Sequence, residues 1–247
     1  VYEDLVFKLG DKYYVWQEFS DCIDDTNAKI GMLCKAISME KNEDFIGNIR
    51  LSLAECLLNE GLKAEACHEL ELYKANYESK GWKVKARYEA LQSKCEGVTA
   101  VNDNKGLYQK YIPVAEEYAY SSIPVYELLI IDDWKDNDGK KHVKFTNNDN
   151  IEIVVNPKRF PSLRKYHKGQ IWNVKLYEEK PAPKPVSTIR FFGIPNKVEP
   201  PKYIPLLISP SKKADWEILP EIVGIIDHVN KEKKVYPVSY THLRAHE

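Results

Sequence analysis

The sequence predicts an α+β protein, with helical hairpins first and small β-barrel modules after them. Over residues 27–96 apolar side chains recur every three or four positions, the period of a helix buried along one face. Beyond residue 124 they fall instead into short runs separated by Gly, Pro, Asn and Asp, the pattern of strands and turns. Charge divides the chain in the same sense: residues 1–100 carry 13 Lys/Arg against 18 Asp/Glu (net −5), and residues 158–213 carry 13 against 3 (net +10). Asymmetry of that size predicts different partners for the two ends.

The 247 residues suffice for two or three small domains, and 43% hydrophobic content with mean hydropathy −0.49 is that of a globular chain. No apolar run approaches the ~18 residues of a membrane span; the longest, 128–131 and 153–155, have strand length. The five cysteines, at 22, 34, 56, 67 and 95, include no C-x-x-C pair. That spacing argues against a zinc framework and for reduced, buried thiols, hence a cytoplasmic location.

In the helical part (expected domain 1–97), Asn27 or Thr26 is expected to cap a helix carrying Ile30, Leu33, Cys34 and Ile37. A second helix is expected over 44–59, with Phe45, Ile49, Leu53, Cys56 and Leu57 as its apolar positions and Gly61 ending it. A third, 63–79, presents Ala66, Leu70 and Tyr73 and ends at Gly81, after which 82–95 resumes the period. Leu53, Ala54, Leu57, Gly61, Ala66 and Leu70 resemble the small-and-large spacing of a tetratricopeptide unit, in which Ala54 and Ala66 let two helices approach and Gly61 makes the turn. Tyr73 departs from it where a small residue is usual, and Ser79 where Pro is usual. Region 13–37 is expected to supply the preceding hairpin. A generic α-hairpin bundle is the alternative, and either arrangement offers a surface to a protein partner.

Residues 98–123 read as linker and short helix, with a helical stretch over 107–120, Pro113 near its start, and a break at 121–124. Residues 124–213 read as a β-rich, barrel-like domain. Strands are expected over 125–131, 142–146, 151–156, 188–192 and 203–208, with an alternating strand over 170–177. The turn expected at 132–140 has Asp136 and Asp138 before Gly139. Trp134 stands at an earlier ligand position of the calcium-loop pattern and no closing Glu follows, so an Asp-Gly hairpin turn is the preferred reading. Residues 214–237 read as a truncated module: strand 222–229, polar turn 230–233 and the start of a second strand resemble the first hairpin of cold-shock-like (OB-type) barrels. Residues 238–247 resemble a translated sequencing adapter and are expected to be a non-native tail. With Val1 in place of Met, the reading frame is expected to be cut.

The strongest functional candidate is 156–168, where Lys158, Arg159, Arg164, Lys165 and Lys168 stand with Phe160, Tyr166 and His167 and no acid. Cations neutralise phosphates and aromatic faces stack on unpaired bases. Arg190, Lys231 and Lys233 extend the expected nucleic-acid-binding set, and Phe191, Phe192, Lys202, Tyr203, Lys212 and Lys213 continue the basic-aromatic pattern. The competing reading is that Phe160 and Leu163 plug a core under a solvated loop. No G-x-S-x-G, P-loop or H-E-x-x-H motif occurs, and His68, His142, His167 and His228 are scattered. No catalytic residue, metal or cofactor is expected, and the chain reads as non-enzymatic.

Taken together, the opening of the chain (5–19), the helical hairpins, residues 109–124, 154–176 and 221–236 resemble bacterial proteins of TOTE conflict systems, which join tetratricopeptide-like helices to a C-terminal cold-shock-like domain. The resemblance implies an RNA- or single-stranded nucleic-acid-binding adaptor or sensor in a defence system, recruiting a protein through its helices. A protein-interaction scaffold without nucleic-acid binding is the alternative.

Overall fold

Helix starts and stops follow local chemistry, and a computed structural model describes residues 2–149, 151–179 and 201–213 of the chain. The strand expected over 188–192, the hairpin within 216–235 and the tail 238–247 lie outside the described residues. Among the described residues there are seven α-helices: α1 (Tyr2–Leu9), α2 (Tyr13–Ser20), α3 (Thr26–Met39), α4 (Glu43–Asn59), α5 (Lys63–Ser79), α6 (Ala86–Gln92) and α7 (Lys105–Ala119). Five strands complete the α+β fold: β1 (Val125–Lys135), β2 (Lys141–Thr146), β3 (Glu152–Val155), β4 (Ile171–Glu179) and β5 (Lys202–Pro210).

The cap of α3 is Asp25, not Thr26 or Asn27, because its carboxylate accepts a 2.7 Å bond from the Ala28 amide while Thr26 is already helical. Ile30, Leu33, Cys34 and Ile37 are buried as expected, and so are Met32 and Ala36 on the other side. A helix apolar on most of its faces belongs in the middle of a bundle. On α4 the buried stripe is Ile46, Ile49, Leu53 and Leu57; Phe45 stands outside it, 59% exposed.

Two glycines stop helices by the same mechanism. Gly61 (φ 76°) follows α4, and the amides of Gly61 and Leu62 donate to the carbonyls of Leu58 and Leu57. Gly81 (φ 66°) follows α5, with the amides of Gly81 and Trp82 donating to Glu78 and Tyr77. In each, a left-handed residue lets the chain turn back onto the last open carbonyls. The Trp82 ring packs edge-on against Tyr77 at 5.4 Å.

Helices α4 and α5 form the expected hairpin, with Leu53, Ala54, Leu57, Ala66 and Leu70 fully buried in one core. Tyr73, large where the repeat prefers small, is accommodated by Gly47 across the interface: a Cβ on Gly47 would come within 3.4 Å of the Tyr73 ring and 3.2 Å of Tyr77. The period does not resume at 82, since α6 begins at Ala86 and gives way to a 3-10 turn, Ser93–Cys95.

Segment 98–123 contains α7, whose 15 residues include Pro113 well inside the helix rather than near its start. A proline there removes an intrahelical bond, and packing offsets the loss. Tyr111, Ala115 and Ala119 are buried, and Gly31 of α3 meets α7 so closely that a Cβ would stand 2.2 Å from the Tyr111 carbonyl oxygen. An ion pair from Lys35 to Glu116 ties the same two helices.

A buried polar node joins α4, α5 and the start of α7. Glu69, fully buried, accepts from the Arg50 guanidinium, from Asn104 Nδ2 at 2.7 Å and from Tyr108 Oη at 2.7 Å. Burial works against the Arg50 charge, and the carboxylates of Glu43 and Glu69 outweigh it, holding the guanidinium above its ordinary pKa.

The strands form an antiparallel sheet of order β3-β2-β1-β4-β5, curled like half a barrel. Strand β1 runs four residues beyond the expected end at 131, so the turn is confined to 136–140. It pairs with β2 through Asp133↔Val143 and Trp134↔His142, with a bulge between Ile130 and Asp132 of the kind that bends a strand. Strand β4 is not alternating. Ile171, Trp172, Val174, Lys175 and Leu176 are all buried, as a central strand covered on both faces requires.

Contacts divide the described residues into two compact units, one from 2–126, 174–179 and 201–208, the other from 127–149, 151–173 and 209–213. Within the first, the buried Lys175 donates to the Tyr120 carbonyl (2.9 Å) and pairs with Glu117 (3.2 Å) at the end of α7. A cation suits the carbonyl-rich end of a helix.

Candidate nucleic-acid interface

The candidate segment is built from two short 3-10 turns, Pro157–Arg159 and Pro161–Arg164, in the second unit. Each carries Pro at its start, where the fixed φ suits a helical turn. Asn156 caps the first by accepting from the Lys158 amide at 2.9 Å. Phe160 and Leu163 point inward, 8% and 1% exposed. They anchor the turns, so Phe160 is a core side chain and not an open stacking face: the residue pattern could not distinguish the two, because both roles want an aromatic between cations.

Lys158, Arg159, Arg164 and Lys165 are exposed, and among the described residues none has an acidic partner. They lie within eight consecutive residues, held from below by two buried anchors.

The C-terminal end of the segment is fastened down. Tyr166 donates to Asp133 (3.1 Å) and its ring lies under the Lys141 ammonium (4.5 Å to the centroid). Lys141 in turn pairs with Asp133 at 3.2 Å, and Lys168 pairs with Asp132 at 2.6 Å. The hydrogen bond to Lys168 holds the Asp132 carboxyl below the usual range, and Asp132 raises Lys168 in return. Tyr166 and Lys168 are therefore committed to a staple between this segment and the β1–β2 hairpin. Its partners Asp132, Asp133 and Lys141 were not expected, since the sequence pattern put the first two in a turn. Arg190, Lys231 and Lys233 lie outside the described residues.

The hairpin turn itself is organised by Asp136, whose carboxylate accepts from the amides of Asp138 (3.0 Å) and Lys140 (2.8 Å), with Gly139 at φ 74°. This is the Asp-Gly turn, its carboxylate used internally. Among the described residues no group of three His, Cys, Asp or Glu could hold a metal ion, and no helix is long and apolar enough to cross a membrane. In the first unit a groove of about 430 Å³ is lined by Asp21, Asp24, Glu55 and Glu60 with Lys29 and Arg87.

Residues 2–115 are similar to a protein family described as Domain of unknown function (DUF7017), a stretch that runs from α1 into α7. No curated protein and no solved structure matches the chain.

Proposed function

We propose that this chain is a non-enzymatic adaptor that holds single-stranded RNA or DNA by its phosphates on segment 157–165 and recruits a protein through its helical hairpins. The observation that carries the reading is the set of four exposed cations, Lys158, Arg159, Arg164 and Lys165, without acidic partners among the described residues and set on rigid turns. Cations already paired to carboxylates contribute little to phosphate binding, because each new contact must first break an old one; these four carry no such cost. With Phe160 in the core, the contact is dominated by backbone charge and reads little sequence. The defence-system context rests on the sequence resemblance to TOTE conflict-system proteins.

Neutralising Arg159, Arg164 and Lys165 to Ala is expected to weaken binding of a labelled single-stranded RNA at least about ten-fold at low salt, with similar losses on different sequences. Unchanged affinity in that variant, read by fluorescence anisotropy, would overturn the reading. A second reading, a scaffold that binds only protein, is favoured by the groove of the helical unit. Its four acids against two bases suit a basic peptide. That reading predicts capture of a basic partner by residues 1–126 and no affinity for nucleic acid.

A further inference from the structure

The four cations can hold a strand's phosphates, yet Phe160 is buried and Tyr166 is covered by Lys141, so segment 157–168 offers no open Phe or Tyr ring to a base. Among the described Phe, Tyr and Trp rings of residues 127–173, the open one is on the hairpin. Trp134 is 40% exposed, the most exposed Phe, Tyr or Trp among the described residues of Glu127–Asn173. Its indole stacks on its cross-strand partner His142, with ring centroids 5.5 Å apart and planes 23° from parallel. His142 is held in turn by Asp136, Nε2 to Oδ2 at 2.9 Å, and Asp136 is fixed by the amides of the turn. One face of the indole is thus taken by a braced imidazole, and the exposed area is what remains. An aromatic presented on a rigid base loses little freedom when a second ring stacks on it.

Its position relative to the cations is also fixed. Asp133, which accepts from Tyr166 and pairs with Lys141, adjoins Trp134 in sequence, and Lys141 adjoins His142. The staple that ends the basic segment is therefore the same one that carries the Trp134–His142 pair. Lys135, exposed and without an acidic partner among the described residues, follows the indole directly.

We propose that Trp134, backed by His142, is a base-stacking site that takes an unpaired base of the strand whose phosphates lie on Lys158, Arg159, Arg164 and Lys165. The site rests on the phosphate-binding reading above and adds to it a contact that a bare polyanion cannot make. Stacking is sequence-tolerant, because every base has a π-face.

The test compares a labelled oligothymidylate with an abasic oligodeoxynucleotide of the same length, which keeps the phosphates and lacks the bases. Trp134→Ala is expected to weaken the oligothymidylate about ten-fold and leave the abasic strand unchanged, while Trp134→Phe retains most of the affinity. The Arg159, Arg164 and Lys165 neutralised variant is expected to weaken both strands. Trp134→Ala binding the oligothymidylate as wild type does, or weakening both strands equally, overturns the stacking site and leaves the phosphate reading standing. Wild-type protein that binds neither strand overturns both. Trp134→Leu, which keeps the apolar bulk without the ring, serves if the Ala variant does not fold, with the same expected losses.

Discussion

Glu69 is the residue on which the helical unit turns. A fully buried carboxylate is tolerable only when its lone pairs are met, and here Arg50, Asn104 and Tyr108 meet them from two other helical segments. Removing Arg50 leaves that carboxylate without its counter-charge. Arg50→Ala is expected to cost about 3 kcal/mol or more of stability, seen as a lower urea midpoint at unchanged slope. A loss under about 1 kcal/mol would mean that the node behaves like a surface ion pair. None of this was legible in the sequence: Arg50 and Glu69 sit in the apolar period as ordinary helical polar residues, 19 positions apart. The same holds for Gly31, whose lack of a side chain admits α7, because the partner that needs the space is 80 residues away. By contrast, Gly61 and Gly81 were readable, since a helix stop is a local event.

At the scale of elements, the α4–α5 hairpin was legible because its burial pattern and its turn lie within 35 consecutive residues. The start of α6 and the position of Pro113 were not, since packing against distant helices overrides local preference. Burial also gives this unit a pH signature. It raises the Tyr73 hydroxyl from its usual 10.0 to about 12 and the Cys67 thiol from 9.0 to about 12. Both groups are neutral when folded, whereas the unfolded chain releases these protons first. Unfolding therefore becomes easier as pH rises from about 9 towards 12, and stability is undiminished by these two groups below that window. Tyr73→Phe is expected to flatten the decline between pH 10 and 12 in denaturant titrations. A wild-type decline no steeper than the variant's would contradict the burial account. In the β part, the basic segment was legible from composition, but the division of labour within it was not. Phe160 as anchor and Tyr166 and Lys168 as staple depend on the β1–β2 register, which a turn placed at 132–140 conceals.

For the whole molecule, the charge division read from sequence remains the strongest functional signal, with a net charge of −5 over residues 1–100 and +10 over 158–213. A protein-binding helical unit and a phosphate-binding β unit in one chain would couple a captured strand to a recruited partner. The central claim is that four unpaired cations carry the strand, and counterion release makes it quantitative. Each phosphate neutralised on a single strand contributes about −0.7 to the slope of log affinity against log salt. The measurement is fluorescence anisotropy of single-stranded RNA and DNA across a salt series. The account predicts a slope near −3 for the wild type, falling to about −1 when Arg159, Arg164 and Lys165 are neutralised. A slope indistinguishable between the two proteins, or no binding at low salt, would contradict it.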